Sequence, residues 1–217
     1  MGTNVRRINV SFANMAIQEN DLFNYFTIAI MVKELFRSSC VHRYTKNGLA
    51  KKLGISTATI EKAVKIGLKM GLCHIEGSSL IFSKITGNRA VKVSTLPKTF
   101  KELKNYIKSL IIVDKLRTIN FSRHIKQAKL NKKCVWNGQR KGKGVISYKR
   151  LGEILSCSKP TAIKIIKFAV KESLINKLVI KARLGMSESG QGMFYAYGKV
   201  FCQPANIYTE AFALRCI

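Results

Sequence analysis

Two sets of side chains recur along this chain in one order: Thr57, Thr59, Lys62, Lys65 and Lys69 first, then Lys159, Thr161, Lys164 and Lys167, with Lys62 matching Lys164 and Lys65 matching Lys167 at an offset of 102 residues. Lysines three apart share one face of a helix. Hydroxyls and ammonium groups on such a face donate hydrogen bonds and positive charge, which suits phosphate oxygens and the acceptor atoms of base edges. The partners that bond-breaking chemistry needs are missing. The three histidines, His42, His74 and His124, fall in no HExxH, HxH or nucleophile-paired arrangement, and no GxxxxGK[ST] loop or GxGxxG with an acidic partner occurs. Asp21, Asp114, Glu153 and Glu172 are scattered and read as caps or surface residues. Cys40 with His42, and Cys73 with His74, lack recognisable zinc-ligand spacing. No catalytic residue, metal or cofactor is therefore expected.

Further cations extend the set. Lys177, Lys181 and Arg183 lie on one side of an alternating strand pattern, where they could reach flanking phosphates or simply face solvent. Between Arg123 and Arg150 come Lys126, Lys129, Lys132, Lys133, Arg140, Lys141, Lys143 and Lys149, with no acidic residue among them. Lysine dominates there and acts as a point charge more than as a bidentate reader of bases, so the segment points to polyanion binding without sequence preference. Trp136 and Tyr148 beside it could stack on exposed bases of a single strand, or pack locally.

The whole chain has the same bias. With 39 Lys+Arg against 11 Asp+Glu among 217 residues, the formal net charge is +28, and a compact body that basic repels itself unless a polyanion or counterions neutralise it. Nucleic acid is the obvious polyanion; an anionic membrane or an acidic protein are alternatives. A membrane anchor is not expected, because the longest apolar run, Leu22 to Phe36, is broken by Asn24, Lys33 and Glu34 and falls short of the roughly 20 residues that a span needs. Arg6 and Arg7 have no signal-type apolar segment behind them, so a cytoplasmic protein is expected. The six cysteines fall singly, as reduced thiols would.

The elements that must hold these side chains are themselves duplicated. Shifted by 102 positions, Leu49 falls on Leu151, Leu53 on Leu155, Ser56 on Ser158, Thr59 on Thr161, Val64 on Ile166, Leu68 on Val170 and Leu72 on Leu174, without a gap. Each copy reads as a helix, a tight turn, a second helix and a short strand pair. In the first, Thr45 caps a helix over 46–53, Gly54 permits the turn, and Ser56 caps a helix whose inner stripe is Ile60, Ala63, Val64 and Leu68. A hairpin then flanks Glu76-Gly77-Ser78-Ser79. In the second, Ser147 caps 148–155 and Ser158 caps a helix with Pro160 in its first turn, burying Ala162, Ile165, Ile166, Ala169 and Val170. Ser173 stands where the first copy has Gly71.

Between and around the copies, 4–12 reads as a short strand or an arm, and a helix capped by Asn20 or Asp21 runs to Phe36. Residues 86–93 read as a polar connection. Ser94 or Thr95 with Pro97 marks a helix start, and 98–135, free of Gly and Pro, reads as one helix or two in series, with Leu110-Ile111-Ile112-Val113 leaving a strand open. A loop is expected around Gly138, Gly142 and Gly144, strands over 177–183 and 193–201, and a closing helix over 206–216.

The expected class is mainly α with small β wings (α+β): two winged-helix-like domains at 1–93 and 136–217, joined by a helical segment at 94–135. This architecture, carried by the Leu49, Leu53, Ser56, Thr59, Val64 and Gly71-Leu72 pattern and its partner at 151–175, resembles the replication initiators of plasmids and phages over 21–201. GLAKKLGISTATIEKAVKIGLKMGL from Gly48 is also similar to winged-helix transcription regulators. The resemblance implies tandem units side by side on double-stranded DNA, as initiator or regulator of a mobile element, and admits a homodimer. The charge keeps a non-specific packaging or virion-associated protein open, and with it RNA or single-stranded DNA. A protein-binding or RNA-associated module is the third reading.

Overall fold

A computed structural model describes residues 6–93, 95–131, 143–179, 195–196, 199–200 and 206–210. The first half runs β1 (Arg6–Asn9), α1 (Val10–Ala16), α2 (Asn20–Phe36), β2 (Cys40–Val41), α3 (Lys46–Leu53), α4 (Thr57–Lys69), β3 (Cys73–Glu76), β4 (Ser79–Phe82) and β5 (Ala90–Val93). The second runs α5 (Phe100–Asn131), β6 (Lys143–Val145), α6 (Tyr148–Ile154), α7 (Lys159–Lys171), β7 (Ile175–Val179), β8 (Tyr195–Ala196), β9 (Lys199–Val200) and β10 (Asn206–Glu210). The protein is mainly helical, with small antiparallel sheets.

The repeat in the sequence is a repeat in topology. A helix, a strand, two helices and a further strand follow one another in each half, and the three-stranded sheets have the orders β2-β4-β3 and β6-β10-β7, with the third strand of each sheet central; in the second half the β8–β9 pair comes before that third strand. Local chemistry explains the match. Ser56 accepts a hydrogen bond from the Thr59 amide and Ser158 from the Thr161 amide, satisfying helix N-termini that otherwise leave amides unpaired. The turns before these helices pass through left-handed residues, Gly54 at φ 65° and Ser156 at φ 46°, and the helices end through Gly71 at φ 66° and Ser173 at φ 54°. At both ends the chain folds back the same way, Leu72 N–H donating to the Gly67 carbonyl (2.8 Å) and Leu174 N–H to the Ala169 carbonyl (2.9 Å). Serine at 173 thus leaves the helix end intact.

One hydrophobic cluster spans both halves. It takes in Phe23, Tyr25 and Ile28 of α2, Ile60 and Ala63 of α4, Leu103, Ile107, Leu110 and Ile111 of α5, Ile165 and Ile166 of α7, and Tyr208 of β10. Helix α5 packs on α1 and α2 of the first half and on α7, β6 and β10 of the second. It is one continuous helix, so the β-branched run at 110–113 is helical; all four residues are buried, and packing overrides a weak local preference. Residues 132–135 lie outside the described residues.

Several local expectations are corrected. Of the stretch 4–12, the strand alternative holds over 6–9, where β1 pairs with β5, and gives way over 10–12 to α1, which Asn9 caps by accepting from the Phe12 amide (2.9 Å); residues 4 and 5 lie outside the described residues. The polar connection at 86–93 therefore contains a strand, and its pairing partner lies more than 80 residues away in sequence. Helix α5 starts after Thr99, whose hydroxyl oxygen accepts from the Glu102 amide, rather than at Ser94 or Thr95. Gly144 lies in β6 rather than in a loop, while Gly138 and Gly142 lie outside the described residues. The closing helix over 206–216 is overturned for 206–210, which form β10, central in its sheet with Tyr208 fully buried. Leu68 and Val170, assigned to the buried stripes, are 41% and 40% exposed, because both sit on the outer edge of the last helical turn.

Candidate nucleic-acid interface

Helices α4 and α7 present the matched side chains. Thr57, Lys62, Lys65 and Lys69 of α4 and Lys159, Thr161, Lys164 and Lys167 of α7 are exposed, and Thr59 is half-buried. The opposite faces bury Ile60, Ala63 and Val64, and Ala162, Ile165, Ile166 and Ala169. With one face of each helix fixed by the core, the lysines at the third and sixth positions after Thr59 and Thr161 are held on the other. Thr59 and Thr161 are not free to read a ligand in the same way. Their hydroxyls share hydrogen bonds with the capping Ser56 (2.8 Å) and Ser158 (3.0 Å).

The two faces differ in charge. On α4, Glu61 forms a 2.6 Å ion pair with Lys46 of α3, and this hydrogen bond from Lys46 holds the Glu61 carboxyl below its usual range. Position 163, the counterpart of Glu61, is isoleucine, and α7 has no acidic residue from Lys159 to Lys171. The second face is therefore the more uniformly cationic.

A second cation reaches α6. Lys177 of β7 donates a 2.7 Å hydrogen bond to the Tyr148 hydroxyl at the start of α6, with its ammonium 5.3 Å from the ring centroid. Burial alone would raise the Tyr148 phenol, but hydrogen bonds with Lys177 and Tyr208 and the charges of Lys177 and Lys167 outweigh it, and the group lies below the ordinary tyrosine range. Tyr148 thus links α6 to β7, a role that the alternation of β7 alone does not reveal. Lys149 and Arg150 are exposed on α6, where Arg150 pairs with Glu153 (2.7 Å). The β3–β4 hairpin is different: from Cys73 to Ser83 it carries no Lys or Arg.

Of the remaining predicted residues, Lys143 is the first residue of β6, while Lys132, Lys133, Arg140, Lys141, Lys181 and Arg183 lie outside the described residues. Cys40 Sγ lies 3.7 Å from His42 Nδ1, Cys73 is buried and His74 exposed, and among the described residues no group of three or more possible metal ligands converges. No helix among the described residues is long and apolar enough to cross a membrane. Compared with protein-family models, curated proteins and solved structures, the chain gives no match to any of them.

Proposed function

We propose that the chain binds double-stranded DNA through two winged-helix units, in which α4 and α7 enter the major groove and α3 and α6 brace them, as a replication initiator or transcription regulator of a mobile element. The observation that carries this reading is the matched register of Lys62/Lys65 and Lys164/Lys167, exposed on helices with the same serine caps and the same left-handed ends. A helix presenting small and cationic side chains suits a groove about 12 Å wide. The net charge of +28 supplies phosphate neutralisation along the flanks.

The test is footprinting on the DNA that flanks the coding sequence, with and without competitor DNA. A sequence-specific binder protects discrete sites that survive competitor. Replacing Lys164 and Lys167 by alanine should abolish that protection and lower the salt slope of binding by about one per phosphate contact removed. The charge also favours a second reading, a packaging or virion-associated protein that covers nucleic acid without preference. In that case no discrete site appears, and the same double substitution weakens binding slightly and evenly. Loss of a protein partner with DNA binding unchanged would replace both readings with a protein-interaction role.

A further inference from the structure

Away from α4 and α7, a cleft of about 470 Å³ opens between α2, the end of β4, the segment after it and β1. Phe26, Ile30 and Phe82 form its apolar floor, and Arg7, Lys33 and Lys84 stand at its rim, all three exposed. No carboxylate lines it, and among the described residues none of these cations is in an ion pair; Glu34, the nearest acid in sequence, is taken by Arg6 and Arg37. Gly87 packs on the Asn9 side chain so tightly that a Cβ there would lie 2.4 Å from Asn9 Nδ2, which ties the segment after β4 to β1 and bounds the cleft. Its size falls in the range of small-molecule sites, about 300–1,000 Å³, and an apolar floor with a few charged groups is their usual make-up.

We propose that this cleft is a binding site for a small amphipathic organic anion, an aliphatic or aromatic body carrying a carboxylate, sulfonate or phosphate. The apolar body would lie on Ala29, Ile30 and Ile85, which are half-buried above the already buried Phe26 and Phe82, removing their remaining surface from water. The acid would meet the three rim cations, which stay hydrated and so are not penalised by burial. A bare phosphate, including one of a nucleic-acid backbone, leaves the floor uncovered. A neutral apolar molecule leaves the cations unanswered.

The site is tested by titrating the intact protein with anilinonaphthalene sulfonate, an aromatic sulfonate that fluoresces when its rings leave water, and then displacing it with decanoate or acetate. One saturable site is expected, emptied by decanoate and unaffected by acetate at the same concentration. Lys33→Glu with Lys84→Glu should weaken it by at least about tenfold. Ala29→Phe, which fills the cleft wall, should remove it, while Lys164→Glu with Lys167→Glu on α7 should leave it unchanged. Both charge-reversal pairs lie on exposed positions, so retained circular dichroism verifies the fold. Unchanged binding in the Lys33/Lys84 variant, displacement by acetate, or the absence of a saturable site would overturn the proposal.

Discussion

Ser173 holds φ 54° at the end of α7, where its counterpart at the end of α4 is Gly71 at φ 66°. A side chain in the left-handed region costs free energy that glycine does not incur, so Ser173→Gly should stabilise the protein by about 1 kcal/mol and Gly71→Ala should destabilise it by a similar amount. Urea unfolding of the two variants measures both signs; a destabilised Ser173→Gly would mean that its hydroxyl contributes more than its backbone loses. Charge at single residues has its own signature. Arg6 hydrogen-bonds Glu34 and holds that carboxyl below its usual range, against the opposing effect of burial. A carboxyl with a depressed folded-state pKa stabilises the protein above its unfolded value, near about 4.3, and that contribution is lost as pH falls through the folded value. The stability difference between the wild type and Glu34→Gln should therefore be constant near neutral pH and shrink below about pH 4, as read from unfolding midpoints at several pH values. A difference that grows on acidification would contradict the pairing.

Between elements, α4 and α2 come close at Gly67, where a Cβ would lie 2.3 Å from the Tyr25 ring. The tyrosine hydroxyl donates to the Leu72 carbonyl just beyond α4, so the ring cannot swing away without giving up that bond. Gly67→Ala should overpack this contact and cost about 1–3 kcal/mol. Differential scanning calorimetry would detect the lowered Tm, and Ala169, the matching residue of α7, shows that the second half has room for the methyl group. Which elements were legible follows from the range of the interactions that form them. Caps such as Thr45, Ser56, Ser147 and Ser158, and the turn at Gly54, act within four residues, so α3, α4, α6 and α7 could be read from the sequence together with their cationic faces. The strands β5 and β10 could not, and β1 could be read only as one of two alternatives. Ile8 pairs with Val91, and Ile207 with both Val145 and Leu178, so the partner that makes each stretch a strand is absent from its local sequence. The cleft was illegible for the same reason: Arg7, Lys33 and Lys84 meet only after β1 is paired and β4 has packed on α2.

For the molecule as a whole, α5 decides whether two similar halves act as one body. Ile107, Leu110 and Ile111 are at most 1% exposed, on a helix that packs against α1 and α2 on one side and α7, β6 and β10 on the other. The Ser156 hydroxyl, in the turn before α7, adds a 2.9 Å hydrogen bond to Gln18, just after α1. Removing a buried branch from α5 should therefore weaken both halves together. Ile111→Ala is expected to cost about 2–5 kcal/mol, and native-state hydrogen exchange should show protection falling by similar amounts in β4 of the first half and β10 of the second. Independent halves would behave differently, with protection lost on one side and kept on the other. The distinction matters for the DNA binding proposed above. If the halves share α5 as one cooperative core, the lysine faces of α4 and α7 are held at a fixed separation, and inserting base pairs between two bound half-sites should abolish simultaneous occupancy instead of weakening it gradually.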